Sequence, residues 1–203
     1  MTNSDPGYVA RQYRDPSKLN ARIALHEQFS TNTRGLQHWI FDHFDPPEEA
    51  NILDVGCGPG RLAGALAGRG RPALGIDISE TAVRLARRRG ATALRRDVFD
   101  RVPGEGRWHH LLLADGNLGI GGDPARLLRR CRALLAPGGR LHVEAAAPGT
   151  AGWSGAAVAE DGSRLPWACV PVDDLAALAA ATALRVLDTW TEADRWFATL
   201  AAR

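Results

Sequence analysis

Through the middle of the chain, short apolar runs alternate with stretches whose apolar positions recur every three or four residues. Asn51–Gly56, Pro72–Asp77, Ala91–Asp97, His110–Asp115 and Arg140–Ala146 are the runs, each of strand length. Between them the spacing predicts helices over about Arg61–Gly68, Glu80–Arg89 and Pro124–Leu135, the last stopped by Pro137-Gly138-Gly139. Strands alternating with helices imply right-handed crossovers and a mostly parallel sheet covered on both faces. After a Gly/Ala-rich loop around Trp153, a helix is expected over Val172–Ala181. Two β-rich runs, Leu184–Thr191 and Arg195–Leu200, flank the polar break Glu192-Ala193-Asp194, which suits an antiparallel hairpin. Upstream, Asp15 can cap a helix with Pro16 at its first position, ending near Phe29. A second helix spans about Thr33–Phe44 and stops at Asp45-Pro46-Pro47.

Composition narrows the class. A chain of 203 residues fits one α/β domain. Within it, 1–48 form a helical segment, 49–148 the alternating core, and 149–203 a loop, helix and hairpin. A formal charge of +2 is too small to argue for nucleic acid or a membrane surface. Lys18 is the only lysine, which excludes a P-loop lysine and disfavours Schiff-base chemistry. Arginine clusters such as Arg87-Arg88-Arg89 and Arg129-Arg130 read as solvated helix faces. Cys57, Cys131 and Cys169 are scattered without a CxxC pair, as free thiols in a reducing compartment would be. Nothing in the spacing of His, Cys and Asp suggests a metal site. Met1–Tyr8 lacks the apolar core of a signal peptide, and no apolar run approaches the ~20 residues that span a bilayer. The expected address is the cytoplasm.

Candidate chemistry begins at Leu53-Asp54-Val55-Gly56-Cys57-Gly58-Pro59-Gly60, where the first strand turns into the first helix. Glycines serve where backbone must approach a ligand or take positive φ. The spacing is GxGxG rather than the GxGxxG of dinucleotide sites, and Asp54 precedes it. A carboxylate there gives a pyrophosphate nothing, but it suits a ligand carrying an ammonium and a sulfonium. Asp77 closes the second strand, where a carboxylate can accept from both ribose hydroxyls. Asp97 closes the third, where it can take the exocyclic amine of adenine while Val98 donates its backbone N–H. Asp115 closes the fourth. One such Asp is ordinarily a cap or turn residue; four at one sheet edge point to a nucleoside-type ligand.

The stretches ILDVGCGPG, GIDIS, RRDVFD, LLADGN and LLAPGGRLHVE, in that order from Ile52 to Glu144, resemble the class I S-adenosylmethionine-dependent methyltransferases. The resemblance implies a Rossmann-like, seven-stranded, mostly parallel sheet of order 3-2-1-4-5-7-6, ending in the antiparallel hairpin. It implies S-adenosylmethionine as cofactor, with Gly56, Cys57, Gly58 and Gly60 bordering its methionine and ribose parts. Asp77 with Ile78 would border the ribose, and Asp97 with Val98 and Phe99 the adenine. The amino-terminal residues resemble the variable lids of this family. Asp115-Gly116-Asn117-Leu118 departs from the Asn/Asp-Pro-Pro-Tyr pattern used on amino groups of bases, which argues against nucleic-acid methylation.

Methyl transfer from a sulfonium is an in-line displacement that asks the protein for positioning and water exclusion, with a base only for protonated nucleophiles. Asp115 and Asn117 would lie nearest the transferred methyl, orienting the acceptor or assisting deprotonation; the alternative for Asp115 is cofactor binding alone. On a helical wheel of Leu19–Phe29, Arg22 and His26 fall within the apolar arc, where polar side chains need partners or a polar ligand. Arg22 is a candidate for the methionine carboxylate and His26 for the base; the alternative is a buried pair between helices. Tyr13 is a similar lid candidate. His109 and His110 begin the fourth strand at the far edge, and His142 reads as a hydrogen-bonded core residue. Trp153, Trp167 and Trp196 are core residues or the wall of a pocket. The expected activity is methylation of a small molecule by a monomer or homodimer, without nucleic acid or membrane. Alternatives are other chemistry of the same cofactor, such as cyclisation or decarboxylation, and a non-catalytic cofactor-binding protein. A dehydrogenase is disfavoured by the loop.

Overall fold

The computed structural model describes residues 40, 41, 43, 46–158 and 164–203. Tyr13, Arg22, His26 and the helix expected from Asp15 lie outside the described residues, as does most of the Thr33–Phe44 helix.

Each apolar run becomes a strand within a few residues of its expected bounds: β1 Ile52–Val55, β2 Ala73–Asp77, β3 Ala93–Arg95, β4 Trp108–Leu113 and β5 Leu135–Ala145. The helices are α1 Arg61–Ala67, α2 Glu80–Arg88, α3 Pro124–Leu134 and α4 Val172–Ala181. Two strands not expected from the sequence, β6 Trp153–Val158 and β7 Arg164–Cys169, replace part of the Gly/Ala-rich loop. The terminal hairpin follows as β8 Leu184–Glu192 and β9 Arg195–Ala202.

Seven strands form one sheet in the order β3-β2-β1-β4-β5-β9-β8. Strands β1 to β5 pair in parallel, and β9 runs antiparallel to β5 and β8. This is the expected topology, its hairpin renumbered by the two added strands. The turn joining β8 to β9 holds Ala193 at φ 49 and Asp194 at φ 60, the paired left-handed residues of a two-residue hairpin.

Strand alternation sorts the core into two faces. Leu53, Val55, Leu111, Leu113, Leu141 and Val143 pack with Leu127, Leu128 and Leu134 of α3 and with Leu175 of α4. Burying each such leucine contributes about 1.5–3 kcal/mol. Ile52, Leu112 and Phe197 point the other way, against Leu62 and Leu66 of α1 and against Ile40 and Phe41. Caps fix where the helices start. Ser79 accepts from Ala82 N at 3.2 Å to open α2, and Asp123 accepts from Arg126 N at 2.9 Å to open α3, with Pro124 first in the helix.

The second face also carries buried polar groups. His110 Nδ1 and His142 Nε2 lie 3.0 Å apart, and His142 Nδ1 reaches Thr199 Oγ1 at 3.0 Å. Burial lowers both imidazoles, His110 to about 4, so they stay neutral. His142 is thus the hydrogen-bonded core residue the sequence suggested.

The β6–β7 pair lies over a 3-10 turn, Asn117–Gly122, that follows β4. Ser154 Oγ donates to Gly122 O at 2.7 Å. Gly119 permits the approach, because a Cβ there would stand 2.0 Å from Ala168 O. The pair was illegible because its strands, WSGAAV and RLPWAC, carry almost no β-branched residues.

Candidate active site

The glycine loop between β1 and α1 is shaped from three sides. Gly56, Gly58 and Gly60 all take positive φ, at 69°, 51° and 79°. From below, Asp54 Oδ2 accepts from Ala63 N at 3.2 Å, supplying the cap that α1 lacks from its own Gly60. Asp54 is buried, and desolvation pushes its carboxyl up to about 7, against the Ala63 N–H and with help from the nearby Asp115 charge. From β2, Asp77 Oδ2 accepts from Gly58 N at 2.9 Å and Oδ1 from Ser79 N at 2.8 Å. Burial raises its carboxyl too, opposed by these backbone donors. From β4, Asn117 Nδ2 donates to Val55 O and Gly56 O, both at 2.9 Å. Both hydrogens of that amide are therefore spent on the loop, and a Cβ on Gly56 would strike Nδ2 at 2.7 Å.

Along the rim, Ile78 follows Asp77 and is 45% exposed, an apolar plate beside a carboxylate. Asp97 Oδ1 accepts from Phe99 N at 2.9 Å, which turns the chain after β3 and buries Val98. Phe99 stacks under the Arg126 guanidinium at 4.0 Å. Arg130 ties the same loop down, donating from Nε to Val98 O at 2.8 Å. Cys57 sits buried in the glycine loop against Gly75, and burial raises its thiol, so it is an inert packing residue.

At the end of β4, Asp115 takes φ 56. Its carboxylate lies between two guanidiniums: Arg61 on Oδ2 and Arg195 Nη2 on Oδ1 at 2.9 Å. Partial burial works to raise its pKa, but the two arginines prevail and hold it at about 2. Arg195 also grips Glu144, with Nε on Oε1 at 2.8 Å and Nη2 on Oε2. Glu144 Oε2 in turn accepts the backbone N–H of Asp115.

Sequence reading missed Arg61, Glu144 and Arg195. Glu144 carried a usable signal, a lone carboxylate inside the apolar run LHVEA, where a buried charge demands a cation. Its partner lies 51 positions away across an antiparallel pairing that spacing alone does not reveal. His43 is exposed and stacks on Trp190 with centroids 4.8 Å apart. Trp153, Trp167 and Trp196 are all partly exposed; Trp167 packs over Gly119. Among the described residues no group of His, Cys, Asp and Glu is arranged to hold a metal, and no helix is long and apolar enough to cross a membrane.

A glycine loop at the first strand–helix turn and carboxylates closing successive parallel strands define a Rossmann-like nucleotide-binding fold. Comparison with known proteins takes the class further. Residues 52–139 match the family described as "Methyltransferase domain". The chain is 30% identical over 112 residues to the ubiquinone biosynthesis O-methyltransferase of Acinetobacter baylyi, covering 51% of this chain and 47% of that one. Against the trans-aconitate 2-methyltransferase of Paracidovorax citrulli it is 31% identical over 125 residues, 60% of this chain and 48% of the other. The chain thus spans about half the length of these curated relatives. Its fold superposes on the 1,6-didemethyltoxoflavin-N1-methyltransferase of Burkholderia thailandensis with a TM-score of 0.68 at 20% identity, covering 97% of this chain and 86% of that one. Residues 52–139 are thus similar to a methyltransferase domain, and the fold is the one that S-adenosylmethionine-dependent methyltransferases share.

The residues fit that cofactor. Asp77 accepts backbone N–H groups through both oxygens, and its remaining lone-pair capacity suits a ribose hydroxyl. Ile78 offers an exposed apolar surface beside it. A Cβ on Gly58 would meet nothing within 4 Å, so the loop backbone is open to a ligand on that side.

Proposed function

We propose that the chain transfers a methyl group from S-adenosylmethionine to a small-molecule acceptor. The observation that carries this reading is Asp77, which anchors Gly58 while standing next to the exposed Ile78 at the end of β2. When bound, the cofactor supplies an activated methyl on a sulfonium that departs as a thioether. The chain's own tasks are binding, orientation and exclusion of water, and orientation alone is worth roughly 7–11 kcal/mol in a well-ordered site.

Asp77 holds the ribose hydroxyls, and Ile78 with Phe99 flanks the adenine. Asp97 keeps Oδ2 for the exocyclic amine, since Oδ1 serves Phe99 N, and Val98 offers its N–H. Gly56, Cys57, Gly58 and Gly60 contribute backbone to the amino-acid end. Asp54 acts from beneath by holding the loop and α1. Asp115 orients: a carboxylate held at about 2 is too weak a base to take a proton near neutral pH. Asn117 acts through the loop it grips. Arg22, Tyr13 and His26 are assigned to the lid, with Arg22 on the methionine carboxylate and His26 as the base for acceptors that need one.

Small acceptors are supported by the relatives' names, which specify ubiquinone biosynthesis and trans-aconitate, and by the weak net charge of +2. The unpaired thiols of Cys57, Cys131 and Cys169 favour a cytoplasmic address. Incubation with methyl-labelled cofactor and fractionated extract tests the reading. Label should appear in the low-molecular-weight fraction only when the protein is present. Label confined to protein or nucleic acid would contradict it.

A further inference from the structure

We propose that Glu144 and Arg195 are positioning residues that fix Asp115, and with it the amino-acid end of the cofactor site, from the antiparallel side of the sheet. This rests on the methyltransferase reading. Arg195 is the first residue of β9, immediately after the two-residue turn, so the hairpin delivers it to the sheet edge where β4 and β5 end. Its guanidinium binds both oxygens of Glu144 and one oxygen of Asp115. Glu144 adds its own contact to the Asp115 backbone N–H. Asp115 is therefore fixed at three points: its N–H by Glu144, Oδ1 by Arg195 and Oδ2 by Arg61.

These contacts hold Asp115 in a left-handed turn. A non-glycine residue at φ 56 is disfavoured, and Gly116 follows at φ 79, so the chain turns sharply out of β4. That turn delivers Asn117 to Val55 O and Gly56 O. A continuous chain of contacts thus runs from the hairpin through Glu144, Asp115 and Asn117 to the glycine loop. An ion pair serving only stability needs Arg195 on Glu144. The additional bonds to the backbone and carboxylate of a left-handed residue at the rim are what a positioning device requires. The charges facing Asp115 are Arg61, Arg195 and the nearby Asp54, with Glu144 behind its N–H.

Calorimetry with S-adenosylhomocysteine on the full chain, paired with urea unfolding, tests the role. Removing Arg195 alone strands a buried carboxylate and destabilises the protein, whereas replacing both partners with leucine removes the charges together. The Glu144→Leu/Arg195→Leu variant should unfold at a urea midpoint near that of wild type yet bind S-adenosylhomocysteine about tenfold more weakly or worse. Arg195→Lys, which keeps the charge but not the fork, should bind between the two. If the double variant does not fold, Glu144→Gln keeps the shape and carries the same expectation of weakened binding. A folded double variant, or Glu144→Gln, that binds as wild type does would overturn the positioning role. Absence of binding by the wild-type protein would instead overturn the cofactor reading beneath it.

Discussion

Gly56→Ala is the sharpest perturbation of the loop. The residue sits at φ 69, and its new Cβ would lie 2.7 Å from Asn117 Nδ2 and 2.9 Å from Cγ. Left-handed backbone costs an alanine about 1–2 kcal/mol. Displacing Asn117 also removes two hydrogen bonds to buried carbonyls, each worth about 0.5–1.5 kcal/mol. The expected loss of stability is about 2–5 kcal/mol, read from urea midpoints at constant slope. Gly58→Ala is the control. Its φ of 51 carries the same backbone cost, but its Cβ meets nothing within 4 Å. It should lose only about 1–2 kcal/mol of stability while weakening S-adenosylhomocysteine binding, because the methyl occupies the open side of the loop. Combining Gly56→Ala with Asn117→Ala should cost less than the sum of the two, since the clash disappears with the amide. Equal destabilisation by the two alanines, or strict additivity of the pair, would refute the reasoning.

Other outcomes follow from the same geometry. The Asp54 carboxyl, pushed from an ordinary 3.8 to about 7, retains its proton in the folded state while the unfolded chain releases it. Its contribution to stability therefore falls as pH rises from about 4 to about 7, at up to about 1.4 kcal/mol per pH unit. Asp54→Asn should flatten the decline between pH 5 and pH 7 in urea titrations, and parallel curves would count against it. Asp77→Ala should abolish cofactor binding in calorimetry, whereas Asp97→Ala, which leaves the ribose contact in place, should only weaken it. Ala193→Asn with Asp194→Gly suits the left-handed pair at φ 49 and 60 and should raise the unfolding free energy by about 1 kcal/mol. Gly119→Ala forces β7 away from a Cβ 2.0 Å from Ala168 O, so proteolysis between β6 and β7 should accelerate.

Much of the fold was legible because its signals are local. Apolar runs such as ILDV and HHLLL and stops such as Pro137-Gly138-Gly139 act within a few residues. Four carboxylates at strand ends were readable for the same reason: strand and loop place them whatever the rest of the chain does. The contacts those carboxylates make within the chain were not readable. Asp54 caps a helix from below and Asp77 splints Gly58, contacts spanning 9 and 19 positions. Still less visible was the Arg61–Asp115–Arg195–Glu144 cluster, assembled over separations of 51 to 80 positions. Asn117 was expected beside the acceptor; its amide instead faces the loop carbonyls, a direction fixed by the left-handed turn at Asp115 and Gly116.

Calorimetric titration of the purified chain with S-adenosylhomocysteine, alongside NAD, tests the central claim most directly. Saturable binding of the former, lost in Asp77→Ala and absent for NAD, is the expected result. Heat with NAD alone, or none with either compound, would contradict the account.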